Sequence, residues 1–145
     1  VAKRDEVDYQ IIRLSEELVY IRWHRTPRLN SGVDTQFLAD LQTLLDEAPK
    51  PQYFISDLRH GRITDMRSIR QLGQLTKHKN WAGSSAFSQD PITGILVQSF
   101  RTFSPGQLDT NDEIQAVPAD ALKFLEQLKP GITEGIDWDA VINAD

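Results

Sequence analysis

The chain has no cysteine. Disulfides, thiolate nucleophiles and thiolate metal sites are excluded together. No apolar run approaches the roughly 20 residues that span a bilayer. The opening VAKRDEVDYQ is charged and lacks the apolar stretch of a signal peptide, so none is expected within it. Glycine is sparse. No Gly-x-x-x-x-Gly-Lys-Ser/Thr loop occurs, and Gly61 stands alone. Gly83-Ser84-Ser85-Ala86 lacks the second glycine of a nucleophile elbow, so its serines are expected to be small strand residues. His24, His60 and His78 have no neighbour at metal-ligand spacing and are expected on the surface or in loops. The acid pairs Glu16/Glu17 and Asp137/Asp139 lie in exposed-looking contexts, without the burial that tunes a general acid. No catalytic set, cofactor or metal is expected.

What is present fits a single domain. The chain has 145 residues, 39% of them hydrophobic, enough for one core. The net charge of −5 argues against nucleic acid, which attracts a basic footprint. Charge is unevenly placed. Arg59, Arg62, Arg67, Arg70, Lys77 and Lys79 crowd one segment with Asp65 as its acid, whereas the region from Gly106 onward is acidic. Such asymmetry marks either an interaction surface or a locally compensated solvated one.

Periodicity and punctuation predict the elements. Tyr9–Leu14 and Leu18–Trp23 are β-branched and aromatic, separated by Ser15-Glu16-Glu17, and read as a hairpin. Ser31, with Asp34 three residues on, is expected to cap a helix carrying Phe37, Leu38, Leu41, Leu44, Leu45 and Ala48, stopped by Pro49 and Pro51. Tyr53–Leu58 reads as an inner strand. Asp65 is expected to cap a second helix, with Met66, Ile69, Leu72 and Leu75 near its buried side. Ser84–Phe87 is a short strand. Asp90-Pro91 opens a helix bearing Ile92, Ile95, Leu96, Phe100 and Phe103. Glu113–Val117 is a last strand, and Pro118 opens a last helix with Ala121, Leu122, Leu125 and Leu128. The order β-β-α-β-α-β-α-β-α implies an α/β fold: a mostly parallel sheet of about five strands with an antiparallel edge hairpin, covered by about four helices. Residues 1–8 are expected to be a frayed lead-in, 9–130 the domain, and 131–145 a tail docked on it.

This order, with two local strings, resembles the STAS domain and its SpoIIAA-like relatives, the anti-sigma-factor antagonists. One string is Ile55-Ser56-Asp57-Leu58-Arg59-His60-Gly61-Arg62-Ile63-Thr64-Asp65-Met66-Arg67-Ser68, where Asp57-Leu58 and Asp65 fall on the family pattern. The other is Ala121-Leu122-Lys123-Phe124-Leu125, similar to a helix that closes many such domains. The resemblance covers roughly residues 9–129. It implies a cytoplasmic bacterial binding or regulatory module, not an enzyme. The family's phosphoacceptor serine follows the helix-opening Asp, and here that place holds Met66, which has no hydroxyl. The usual phosphoserine switch is therefore expected to be missing. Thr64, Asp65 and Ser68 mark the region where a substitute phosphosite would lie, since phosphate is favoured at a helix N-terminus.

Two functions follow as expectations. The first is regulation by docking a protein partner, expected to be acidic, through Arg67, Arg70, Gln74 and Lys77, which fall on one helical stripe. The alternative is an apolar, lipid-like small molecule held by Met66, Ile92, Leu96, Phe100 and Phe103, a stripe that equally describes plain core. Asp57 and Asp90 lie near strand ends, where ligands gather in open α/β sheets; the plainer reading is that Asp57 holds a loop and Asp90 caps a helix. Neither nucleic-acid binding nor membrane insertion is expected.

Overall fold

A computed structural model describes residues 7–88 and 112–144. The elements are β1 (Tyr9–Arg13), β2 (Leu18–Trp23), α1 (Val33–Glu47), β3 (Gln52–Asp57), α2 (Met66–Leu75), β4 (Trp81–Phe87), β5 (Asp112–Gln115), α3 (Pro118–Leu128) and α4 (Trp138–Asn143). The five strands form one sheet in the order β1-β2-β3-β4-β5. β1 runs antiparallel to β2, and the remaining pairs are parallel. The mixed α/β sheet with an antiparallel edge is the architecture the element order implied. The helix read over Ile92–Phe103 lies outside the described residues.

The sheet carries core on both faces. One face packs Val19, Ile21, Trp23 and Phe54 against Phe37, Leu38, Leu41 and Leu45 of α1, with Ile69 and Leu72 of α2 alongside. The other packs Leu18, Tyr20, Ile55 and Phe87 against Ala121 and Leu125 of α3, and against Trp138, Val141 and Ile142 of α4. β2 is buried along its whole length, as a strand covered on both faces must be. Leu44, Ile69 and Leu122, expected in the core, pack at its margin and are half-buried. Leu96 and Phe100 fall outside the described residues.

Local chemistry fixes several boundaries. Asp65 caps α2, accepting from the Ser68 amide at 3.4 Å. Pro118 stands at the first turn of α3. Ser31 is a correction. The cap residue of α1 is Gly32, at φ 86°, which has no side chain to offer, while the Ser31 hydroxyl accepts from the Val33 amide at 3.4 Å. Left-handed backbone suits glycine, so the chain turns there, one residue later than the Ser-x-x-Asp pattern suggested. β4 also begins earlier than its serines indicated. Trp81 joins it by stacking on Phe54, with ring centroids 4.3 Å apart. Ser85, fully buried, donates its hydroxyl to the Ala121 carbonyl at 3.0 Å and so ties α3 to β4. The last strand ends at Gln115 rather than Val117, and Val117 becomes the residue before α3.

At the carboxyl ends of β2 and β3 two loops cross closely. A Cβ on Gly61 would overlap the Arg25 carbonyl and the Thr26 amide, which are backbone and cannot swing aside. The Arg62 amide donates to Thr26 Oγ1 across the same crossing at 3.3 Å. Gly61→Ala should therefore cost about 1–3 kcal/mol by forcing the loops apart. A urea midpoint equal to that of the wild type would show the crossing to be looser than drawn.

Candidate functional site

The carboxyl ends of the parallel strands collect the buried charge. Asp57, the last residue of β3, is completely buried. On β2, Arg22 pairs in register with Asp57, and Tyr20 lies two residues back on the same face. The Tyr20 hydroxyl donates to Asp57 Oδ2 at 2.9 Å, and Arg22 Nε lies 3.6 Å from the same oxygen. Arg59 folds back over the strand end. Its Nε reaches Oδ1 at 2.9 Å, its Nη2 reaches Oδ2 at 2.7 Å, and its backbone amide also donates to Oδ1 at 3.1 Å. The Arg59–carboxylate contact is thus a bidentate fork. The Arg59 guanidinium also lies over the Phe87 ring, 5.5 Å from its centroid.

Both arginines reach onward to the end of α4. Arg59 Nη2 donates to the Ile142 carbonyl at 2.6 Å, and Arg22 Nη2 donates to the Val141 carbonyl. The carbonyls at a helix C-terminus carry partial negative charge and lack intrahelical donors. Two guanidinium groups thus hold one carboxylate on one side and a helix end on the other.

The electrostatics follow from this packing. Burial pushes the Asp57 carboxyl up, but the Arg59 side-chain and backbone hydrogen bonds, with that of Tyr20, outweigh it and hold the group below the ordinary carboxylate range. Burial raises the Tyr20 hydroxyl, and the Asp57 charge raises it further. Asp57 stays ionised and Tyr20 neutral near pH 7, so the cluster neither gives nor takes a proton there. The plainer reading of Asp57, that it holds a loop, understates it: the carboxylate joins β2, β3, the loop after β3 and the C-terminal helix.

The predicted docking residues lie elsewhere. Arg67, Arg70, Gln74 and Lys77 are all exposed on one side of α2 and just past its end, while Ile69 and Leu72 on the opposite side pack on the core and Ser68 and Gly73 on the flanks are buried. Thr64 and Asp65 are half-buried beside them. Ser68 is only 6% exposed and its hydroxyl donates to Asp65 at 3.0 Å. Met66 is half-buried, whereas Ile92, Leu96, Phe100, Phe103 and Asp90 lie outside the described residues. Across from Ser68, burial raises the carboxyl of Asp34 on α1, and the Asp65 charge adds to the rise although the Ser68 hydroxyl lowers it.

His24 lies in a loop, as expected, but not at the surface. It follows β2 but is buried, 7% exposed, with Nε2 2.9 Å from Gln10 Oε1. The hairpin partner covers it, and local sequence carries no sign of that. His60 is exposed and His78 meets Asp46 at 2.8 Å. Among the described residues, no group of three or more His, Cys, Asp or Glu is placed to hold a metal ion, and no helix is long and apolar enough to cross a membrane.

The sheet order and the helices on both faces have a counterpart among solved structures. An uncharacterized protein of the DUF3478 family with a SpoIIAA-like fold, from Shewanella loihica PV-4, matches with a TM-score of 0.52. The match covers 81% of this chain and 91% of that one at 16% identity. This chain has a SpoIIAA-like fold. At that identity the likeness speaks for the fold alone, and the SpoIIAA-like neighbour has no assigned function to lend. No protein-family model and no curated protein matches the chain.

Proposed function

We propose that this protein is a non-enzymatic regulatory module that docks an acidic segment of a protein partner on the exposed side of α2. The observation that carries the reading is the stripe of Arg67, Arg70, Gln74 and Lys77, all exposed, on a chain whose net charge is −5. A basic stripe on an acidic protein gives direction to an encounter that the whole-molecule charge would oppose. Arginine suits the task because its planar fork binds a carboxylate through two parallel hydrogen bonds. The buried charges support the same reading. Asp57, Arg22 and Arg59 are committed to one another and to α4, so their chemistry is architectural. The burial of Ser68, and the absence of a hydroxyl at Met66, support regulation by docking rather than by a phosphoserine at this helix end.

The test is the double charge reversal Arg67→Glu with Arg70→Glu. Both residues are surface groups, so stability should change by less than about 0.5 kcal/mol. Capture of the partner from host lysate should fall sharply, and capture by the wild type should itself weaken as salt screens the contact. Bound partner should also slow hydrogen exchange of α2. Undiminished capture by the double variant, with α2 exchange unchanged, would remove α2 as the docking surface.

A further inference from the structure

Strand β1 forms one edge of the sheet, and its outer side pairs with nothing among the described residues. Which backbone groups point outward follows from the hairpin ladder. The His24 amide donates to the Asp8 carbonyl at 2.8 Å, and the Leu14 amide to the Leu18 carbonyl at 2.9 Å. Asp8 and Leu14 therefore face β2, and so, by the two-residue period, do Gln10 and Ile12. The N–H and C=O groups of Tyr9, Ile11 and Arg13 point away from the sheet.

Soluble proteins usually blunt such an edge with proline, a bulge or an outstanding charge. None of these devices guards β1. It has no proline, and its pairing with β2 runs without a register shift. Its one charged residue, Arg13, is drawn back onto its own turn, donating to the Ser15 carbonyl at 2.9 Å, the Glu16 carbonyl at 3.2 Å and Gln52 Oε1 at 2.8 Å.

We propose that β1 pairs antiparallel with β1 of a second copy of this chain, about a two-fold axis through Ile11, so that the two sheets become one. The strand is self-complementary in that register. Ile11 meets Ile11 of the other copy, Tyr9 meets Arg13, and Gln10 meets Ile12. All the outward-pointing backbone groups of Tyr9, Ile11 and Arg13 then gain partners. On the α1 side, Arg13 of one copy lies opposite Tyr9 of the other, and its aliphatic stem meets the Tyr9 ring while the guanidinium stays on its own turn. The paired strand is only five residues long, so the dimer is weak and dissociates on dilution. It uses a different element from the α2 stripe and does not depend on that surface binding anything.

Light scattering or sedimentation across a concentration series should show monomer giving way to dimer. Ile11→Pro removes an N–H that no strand within the protomer uses, and edge strands tolerate proline at such a place. It should weaken dimerisation by about tenfold or more while leaving the circular dichroism spectrum unchanged. The absence of cysteine supplies a second test that does not rely on that variant folding. In the proposed pairing the two Ile11 Cα atoms lie about 5.5 Å apart, inside the range a disulfide bridges. Ile11→Cys should oxidise to a covalent dimer much faster than Gln127→Cys, a control on the exposed side of α3. Wild-type protein that stays monomeric throughout would overturn the proposal. So would a dimer undiminished in a folded Ile11→Pro variant, or cross-linking of Ile11→Cys no faster than the control.

Discussion

Asp57→Asn should lower the unfolding free energy by about 3–5 kcal/mol, because it leaves buried arginine charge without its counter-ion. The substitution keeps the shape and removes the charge. Arg22 is only 4% exposed and cannot turn to water, while Arg59, at 28%, can do so in part. The Tyr20 hydroxyl would keep an acceptor in the amide oxygen, so the loss comes from the charge and from the Arg59 fork. Denaturant unfolding at neutral pH measures it. A loss below about 1 kcal/mol would mean that water reaches Arg22, since surface pairs contribute no more than that.

The same residue sets a pH dependence with a definite sign. The Asp57 carboxyl titrates below its ordinary value of 3.8 in the folded protein. Its contribution is therefore complete above that value and is lost as pH falls through the lower, folded one. The advantage of wild type over Asp57→Asn should shrink from roughly pH 5 downward and vanish in strong acid. An advantage that stayed constant down to acid unfolding would place the stabilisation in packing rather than charge.

Phe54→Ala should cost about 3–5 kcal/mol, the range for deleting a large aromatic from a closed core. Phe54 is fully buried at the middle of β3, the central strand. It packs in one cluster with Leu41 and Leu45 of α1 and stacks on Trp81 of β4 with planes 20° apart. Truncation empties a site whose walls are two strands and a helix, and none of these can collapse inward freely. Leu44→Ala is the internal comparison. Leu44 is half-buried at the rim of the same cluster and borders an open groove of about 640 Å³ with Arg13, Asp40 and Lys50. Its truncation should cost visibly less. Equal losses for the two variants would indicate that the α1 face of the core is not packed as described.

Among the described residues, strands, helices and their order were legible because their signals are local. The hairpin showed in two β-rich runs about a polar break. Asp65 and Pro118 marked helix starts because a cap or a first-turn proline acts within a few residues. Ser31 misled for the same reason. A serine cap and a left-handed glycine both end an extended run, and only the backbone path chose Gly32. The stripe on α2 was also legible, since helical spacing alone places Arg67, Arg70, Gln74 and Lys77 together and the packed face turned them outward.

The buried cluster was not legible as a whole, although one signal for it existed. Leu18, Tyr20 and Arg22 share a face of a strand apolar enough to be central, and an arginine there needs a buried counter-ion. Nothing local named Asp57 as that counter-ion. The choice depends on β2 and β3 lying side by side in a register that sets Arg22 against Asp57. It depends equally on the chain returning after α3 to lay the Val141 and Ile142 carbonyls against both arginines. The burial of His24 and Ser68 has the same origin, as each is covered by residues distant from it or by a neighbouring element. Among the described residues, the sequence by itself determined the five strands, the helices α1 to α3, their order and the exposed basic stripe, because these rest on periodicity and short-range hydrogen bonding. Only the tertiary structure decided which charges were desolvated and which found partners, because pairing across a sheet brings together residues that no short-range rule connects.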